Sequence, residues 1–357
     1  MEYRDSNSDP QLTPIPGQEI RPRFPVSLRI LRKIADGGMS KIYQAIQEPL
    51  ERKVALKILT DVSLESVARF EREARILAML DHENLVHVYD FLNLPHQHHI
   101  VMEYVEGPDV ARLASDGPMP PRIVAWIGMY VARALAYLHG HGIIHRDIKP
   151  GNVIISTQGR VKLVDFGIAK HIHDPQLSPD DTGVGTPSYM SPERLRGQMA
   201  DARSDLYSLG VLLYRLLAGC LPFSENEKVT LFEQIQYACP APMLNVPARL
   251  QRIVLRCLEK RPDDRYLDAN RMRVELERFL NVTGDPLEGE LELLAYLESR
   301  AFVPVGTTQQ KMMFLQLAGR TVLPAHRYMD RRLPGWAVLF LLIQVLFLIL
   351  YLVFLRF

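Results

Sequence analysis

Cysteine is scarce in this chain of 357 residues. Only Cys220, Cys239 and Cys257 occur, at spacings of 19 and 18. Three thiols cannot all pair with one another, and these intervals match no zinc pattern. Reduced core thiols in a cytosolic compartment are therefore expected, and a disulfide-stapled architecture is excluded. Charge of one sign is equally lacking. Lys+Arg 42 against Asp+Glu 41 leaves a formal net charge of +1. A chain with so little basic excess carries no electrostatic footprint for the phosphates of nucleic acid, and no nucleic-acid partner is expected. No repeat period is visible, and the N-terminus lacks the basic stretch followed by an apolar one that marks a secretory signal. What is present is ordinary on average. Apolar residues make up 47% and charged residues 23%, the composition of a globular protein whose length suggests two domains or one large one.

The averages hide two unlike ends. Residues 1–25 hold Pro10, Pro14, Pro16, Pro22 and Pro25 among Ser, Asn, Asp and Gln. Without an apolar period this stretch cannot bury a core and reads as a disordered leader. Ala337 to Leu355 is AVLFLLIQVLFLILYLVFL, 19 residues in which Gln344 alone is strongly polar. At about 1.5 Å per residue the run spans roughly 28 Å, the hydrocarbon thickness of a bilayer. A buried core helix of this length would show a polar face. Trp336 stands at one edge, where an interfacial anchor belongs. Arg327, Arg331 and Arg332 precede the run, whereas only Arg356 and Phe357 follow it. The positive-inside rule then predicts a single-pass, tail-anchored membrane protein with nearly all of its mass in the cytoplasm.

The first ordered segment, Val26 to Ile46, reads VSLRILRKIADGGMSKIYQAI. Val26, Leu28, Ile30 and Ile42 fit strands of a half-buried sheet. Between them Ala35-Asp36-Gly37-Gly38-Met39-Ser40 forms a glycine-containing hairpin, a geometry that lets backbone N–H groups approach phosphate oxygens. Val54-Ala55-Leu56-Lys57 is a short apolar strand ending in a lysine, followed by a helical pattern from Arg69 to Leu80. A lysine on a buried strand needs an acidic partner, or desolvation depresses its pKa. Glu73 supplies one, with Glu71 equally available. His99 to Val105 is an apolar strand that runs into Glu106-Gly107-Pro108, a connector between lobes. Pro121 to Leu138 then repeats apolar residues at helical spacing.

Two motifs carry the chemistry. IIHRDIKPGNVIIS, from Ile143, and VKLVDFGIAK, from Val161, read as strands of a short hairpin flanked by Asp147 and Asp165. Phosphoryl transfer asks little covalent chemistry of a protein; it needs bridging metal ions, a positive charge and a carboxylate that orients the incoming hydroxyl. Asp165 and Asn152 are hard oxygen donors suited to Mg²⁺. Asp147 can accept the hydroxyl proton, and Lys149 can neutralise the transferred phosphate.

Together and in this order the motifs resemble the eukaryotic-like (Hanks-type) Ser/Thr protein kinase family, over about residues 26–282, with wording in GGMS and DFGIAK similar to its bacterial branch. The resemblance implies an α+β bilobal protein-kinase fold. A small β-rich N-lobe (26–101) and a hinge (102–108) lead to a large helical C-lobe (109–282). A juxtamembrane linker with short helices (283–335) and a transmembrane helix (336–355) are expected to follow. It implies catalytic roles for Lys57, Glu73, Asp147 and Lys149, and metal-holding roles for Asn152 and Asp165. It implies ATP contacts at Ile34, Ala35, Asp36, Gly37, Gly38, Met39, Ser40, Ile42, Ala55, Lys57, Glu103, Val105, Asp109 and Ile154, with Met102 as gatekeeper. Leu77, Val88, His145 and Phe166 would stack as the family's spine. Asp205 resembles its buried helix Asp, and Arg265 the partner of Glu193. The implied cofactors are ATP and Mg²⁺, with Mn²⁺ as an alternative.

Arg146 precedes Asp147, and in this family such an arginine pairs an activation-loop phosphate. Thr182 and Thr186 are the candidate regulatory positions, with trans-autophosphorylation in a homodimer the implied route. The expected partners are proteins presenting Ser or Thr, together with the lipid bilayer through 337–355. Ala35 and Ser40 depart from the family's glycines, and Ser191 stands where it more often has Ala. The altered glycine loop motivates an alternative, a pseudokinase-type membrane scaffold. A small-molecule phosphotransferase is a third reading, but it has no use for GTPSYMSPE, Gly185 to Glu193.

Overall fold

The computed structural model describes residues 19–20, 27–37, 40–61, 63–94, 97–165, 187–224, 229–281 and 286–318. The apolar run 337–355 and most of the leader lie outside them. So do Gly38, Met39, Phe166, Thr182 and Thr186.

The chain opens with β1 (Glu19–Ile20), β2 (Ser27–Asp36), β3 (Ser40–Glu48) and β4 (Arg52–Leu59), then α1 (Leu64–Ala78), β5 (Val88–Leu94) and β6 (Gln97–Glu103). The strands form one antiparallel sheet in the order β1-β2-β3-β4-β6-β5. Strand period two sorts its faces. Val54, Leu56 and Ile58 pack with Leu28, Ile30 and Tyr43 on one side. Ala55 and Leu59 turn to the other, against Phe70, Ala74 and Leu77 of α1. Lys57 follows the second set, so alternation alone aims it at α1. The two residues of β1 differ from the expectation of a leader without structure, because Glu19 and Ile20 pair with Arg29 and Leu28. The free edge of β2 offers backbone groups that any sequence can satisfy, and side-chain periodicity is blind to that.

The second lobe contains α2 (Val110–Leu113), α3 (Pro121–Gly140), the short hairpin β7 (Val153–Ile155) and β8 (Val161–Leu163), α4 (Pro192–Leu195) and α5 (Ala202–Ala218). It continues with α6 (Leu231–Tyr237), α7 (Ala248–Cys257) and α8 (Ala269–Leu280). Among the described residues α3 is the one helix long and apolar enough to cross a membrane, and it is mostly buried. It forms the centre of the C-lobe with α5, through residues such as Trp126, Ile127, Leu135, Leu209 and Leu213.

Beyond α8 lie α9 (Pro286–Ser299) and α10 (Thr307–Leu317), in the stretch expected to hold short helices. They are docked on the C-lobe. Leu293, Leu294 and Leu297 enter its main core, and Leu287 and Leu291 pack on Met312 of α10. Glu298 joins the two helices by accepting from Gly306 N at 2.6 Å and Thr308 N at 3.0 Å.

Candidate active site

The site gathers where the sheet faces the C-lobe hairpin. Lys57 on β4 donates to Glu73 Oε1 on α1 at 2.7 Å and to Asp165 Oδ1, just past β8, at 2.8 Å. Glu73 is thus the partner. Glu71 instead accepts from Asn93 at the surface and pairs with Arg75. Helical spacing decides between them, because Glu73 lies next to Ala74 and one turn from Leu77 on the buried face. Burial works against the Lys57 charge, but Asp165 and Glu73 more than offset it and its pKa is raised. The ammonium is therefore permanently positive at physiological pH.

Asp147 and its neighbours form a second knot. Lys149 Nζ donates to Asp147 Oδ2 at 2.8 Å, and Asn152 Nδ2 donates to the same oxygen at 3.0 Å and to the Asp147 carbonyl at 2.8 Å. The Asn152 amide also reaches toward the Asp165 carbonyl at 3.4 Å, tying the two motifs together. These contacts use the nitrogen of the Asn152 carboxamide and not its oxygen. One carboxylate and one carboxamide oxygen make a hard donor set, suited to a small cation that completes its shell with phosphate oxygens and water. Among the described residues no cluster of three or more His, Cys, Asp or Glu forms a site that would hold a metal without such help.

Arg146 and Asp165 both adopt left-handed backbone, with φ of 67° and 54°. Such conformations cost a non-glycine residue of order 1–3 kcal/mol and persist only where surroundings impose them. Asp205, fully buried on α5, imposes the first. Its carboxylate accepts from His145 N and Arg146 N, both at 2.8 Å, and hydrogen bonds His139 Nε2 at 2.9 Å. Burial opposes its charge, yet these contacts win and its pKa is lowered. Burial also lowers the pKa of His145. The Arg146 carbonyl accepts from Arg194 at 2.8 Å. Arg194 was not singled out from the sequence, since an arginine after Glu193 carries no periodic signal.

The remaining expected residues fall around this centre. In the sheet register Ile42 stands opposite Lys57, and Ala55 opposite Met102, so these side chains share one face. Ile34 is 43% exposed. Asp36 pairs with Lys33 at 2.6 Å, and Gly37 N donates to Ser40 O at 3.0 Å. That amide is therefore spent inside the hairpin. Ala35 pairs with Ile42 in the ladder. Glu103 belongs to the end of β6, and its side chain accepts from Lys162 at 2.8 Å. Lys162 was missed because its place on a three-residue strand looks like a solvated position. Val105 is buried. The Asp109 carboxylate caps α2 by accepting from Arg112 N at 2.7 Å, and Asp109 bridges Ile154. Leu77, Val88 and His145 are buried. Farther out, Arg265 forms a doubly hydrogen-bonded pair with Glu193 at 2.9 and 2.8 Å, and Ser204 donates to the same carboxylate.

The family model described as "Protein kinase domain" matches residues 28–273. The chain is 38% identical over 257 residues to the probable serine/threonine-protein kinase CPE1738 of Clostridium perfringens, covering 70% of this chain and 38% of that protein. It is 35% identical to the serine/threonine-protein kinase PrkC of Bacillus subtilis, covering 73% and 41% of the two chains. To PknB of Mycolicibacterium smegmatis it is 41% identical, covering 68% and 41%. It thus spans about two fifths of the length of these curated relatives. Among solved structures, Rad53 residues 1–466 in complex with AMP-PNP superposes with a TM-score of 0.60 at 25% identity, covering 71% of this chain and 65% of that one.

Proposed function

Because the chain belongs to the protein kinase family, we propose that it is a serine/threonine protein kinase that transfers the γ-phosphate of ATP to protein hydroxyls. We propose further that residues 337–355 hold it at a membrane, facing the cytoplasm. The observation that carries the reading is the double engagement of Lys57 by Glu73 and Asp165, beside the Asp147–Lys149–Asn152 knot.

In this reading Lys57 holds the α- and β-phosphates with a charge that Glu73 keeps in place. Asn152 and Asp165 would hold Mg²⁺ or Mn²⁺. Such an ion, when bound with ATP, neutralises charge that builds on the phosphates. Asp147 orients the substrate hydroxyl and accepts its proton, and Lys149, 2.8 Å from that carboxylate, places a positive charge beside the transferred group. Lys149 and Thr186 favour Ser and Thr acceptors by family likeness. Ile34, Ile42, Ala55 and Ile154 enclose the adenine, Glu103 and Val105 offer it backbone groups, and Asp109 meets the ribose. Asp36, Gly37, Gly38, Met39 and Ser40 cover the phosphates. Arg146 would receive a phosphate on Thr182 placed there by a second copy of the chain. Intact-mass mapping tests that step, which fails if Thr182 is unmodified in fully active protein.

The alternative of a pseudokinase scaffold finds no support, since Lys57, Glu73, Asp147, Lys149 and Asp165 are all present and Lys57 engages both Glu73 and Asp165. A radiolabelled-ATP assay on the full chain with a protein acceptor separates the readings. Asp147→Asn preserves shape and removes the base, and activity should fall by at least about 10²-fold. Undiminished transfer in that variant, or a wild-type chain without activity, would overturn the proposal.

A further inference from the structure

The match to the kinase family ends at residue 273, yet the fold continues through α9 and α10. Their attachment is built, not incidental. Arg122 on α3 donates through Nε to both carboxylate oxygens of Glu292, at 2.9 and 2.7 Å, and Trp126 Nε1 donates to the same group at 3.0 Å. From this base the helices reach the turn between β7 and β8. Lys311 on α10 donates to the Gln158 carbonyl and to Glu290 on α9, both at 2.6 Å. Arg160 pairs with the other oxygen of Glu290 at 3.4 Å. Between Gln158 and Arg160 sits Gly159, with φ of +82°, and a Cβ there would lie 2.0 Å from the Glu290 carbonyl. Only glycine lets the turn come this close to α9.

The position of that turn matters for what lies at the two ends of the hairpin. Asn152 immediately precedes β7, and Asp165 follows β8 by two residues. Strands of three residues form a ladder too short to hold its own geometry. On one side the hairpin is fixed to the interlobe connector, where Thr157 N donates to Glu106 O at 2.7 Å and Ile155 N to Pro108 O at 3.0 Å. On the other side β8 lies along 84–86, where Leu163 N donates to Asn84 O at 2.8 Å and Val86 N to Leu163 O at 3.2 Å, and at the turn itself α9 and α10 are the support. We infer that Glu290, Lys311 and Arg160 are positioning residues, through which α9 and α10 clamp the β7–β8 hairpin and hold Asn152 and Asp165 at the spacing that metal–nucleotide binding requires. The inference rests on the phosphotransfer reading above and adds to it a structural element outside the family's own domain.

The test uses the full chain in detergent, as wild type, Lys311→Met and Lys311→Arg. Met keeps the apolar stem and removes the donor, while Arg retains a donor. One readout is amide hydrogen exchange across 153–165 in nucleotide-free protein. The other is Mn²⁺ affinity in the presence of a non-hydrolysable ATP analogue, followed by electron paramagnetic resonance. Lys311→Met should speed exchange in 153–165 and weaken Mn²⁺ binding by about threefold to tenfold, less than the roughly 10–100-fold typical of groups bonded directly to the metal ligands, because Lys311 acts one step farther out. Metal-free nucleotide affinity should stay constant, and Lys311→Arg should restore both readouts. Gly159→Ala, which pushes the turn off α9, should reproduce the pattern; if that variant fails to fold, Lys311→Met decides alone. Unchanged Mn²⁺ affinity in Lys311→Met overturns the clamp, whether or not exchange quickens. A wild-type chain that binds no Mn²⁺–nucleotide overturns the phosphotransfer reading as well.

Discussion

Ser191 has a fully buried hydroxyl with no hydrogen-bond partner among the described residues. A buried polar atom left unsatisfied costs about 1–3 kcal/mol. Ser191→Ala removes that atom without opening a space larger than itself, so it should stabilise the fold by about 1 kcal/mol and leave catalysis unchanged. Urea unfolding checks this, and a destabilised variant would show that the hydroxyl has a partner in solution. Two residues on, Glu193 has a different relation to pH. Burial raises the pKa of this carboxyl, but the Arg265 hydrogen bonds and charge outweigh it and bring it down from 4.5 to about 2. A depressed carboxylate contributes stability that is complete above its unfolded value and is lost as pH falls. The pair should therefore be fully formed above about pH 5, and some 3 kcal/mol should be lost between about pH 4.5 and pH 2. Unfolding free energies measured at pH 6, 4 and 3 give the profile, and a flat one would contradict the assignment. At this scale much of the site was legible. Lys57, Asp147, Asn152 and Asp165 stand in motifs whose order limits their use. The choice of Glu73 over Glu71 needed the face of α1, and Arg194 and Lys162 needed three dimensions, because contacts across 48 and 59 residues leave no local pattern.

The elements show the same division. β4 was legible as a short apolar run. The helical pattern read from Arg69 to Leu80 belongs to α1, which begins five residues earlier, at Leu64, capped by Ser63, while α3 was legible by its apolar spacing. That spacing understated how thoroughly α3 is enclosed, since α5, α8 and α9 cover it on several sides. In the linker expected to hold short helices the first begins at Pro286, and its docking could not be read, because an acidic segment looks the same whether its carboxylates meet water or Arg122. Gly289 marks the contact. A Cβ there would lie 2.4 Å from Tyr130 Oη and 2.5 Å from Trp126 Cε3, both on the buried side of α3. Gly289→Ala improves intrinsic helix propensity by up to about 1 kcal/mol, yet overpacking of this kind costs typically 1–3 kcal/mol. The steric term should win. The variant should lose about 1 kcal/mol or more of stability, and α9 should become more readily cleaved under limited proteolysis. If the alanine variant is more stable and equally resistant, α9 is not seated where the structure places it.

For the molecule as a whole, the near-zero net charge and average hydropathy are sums over unlike parts, and the part that departs furthest is the C-terminal run. Of the 19 residues Ala337 to Leu355, 16 are Leu, Ile, Val or Phe. On an insertion scale each contributes about −0.3 to −0.6 kcal/mol near a helix centre, so the segment favours the bilayer by several kcal/mol, far more than Gln344 opposes. The same length of helix in α3 is also apolar, but its residues find partners in α5 and α8, and an excess of apolar surface needs either such a cover or lipid. Among the described residues α9 also packs on α3, beside α5 and α8. The full chain expressed in a bacterial host should therefore sediment with membranes and resist alkaline carbonate and high salt. A chain ending at residue 335, which retains α9 and α10, should remain in the supernatant with its phosphotransfer activity intact. Release of the full chain by salt alone would reduce the tail to a peripheral contact, and sedimentation of the shortened chain would move the membrane-binding surface onto the kinase domain.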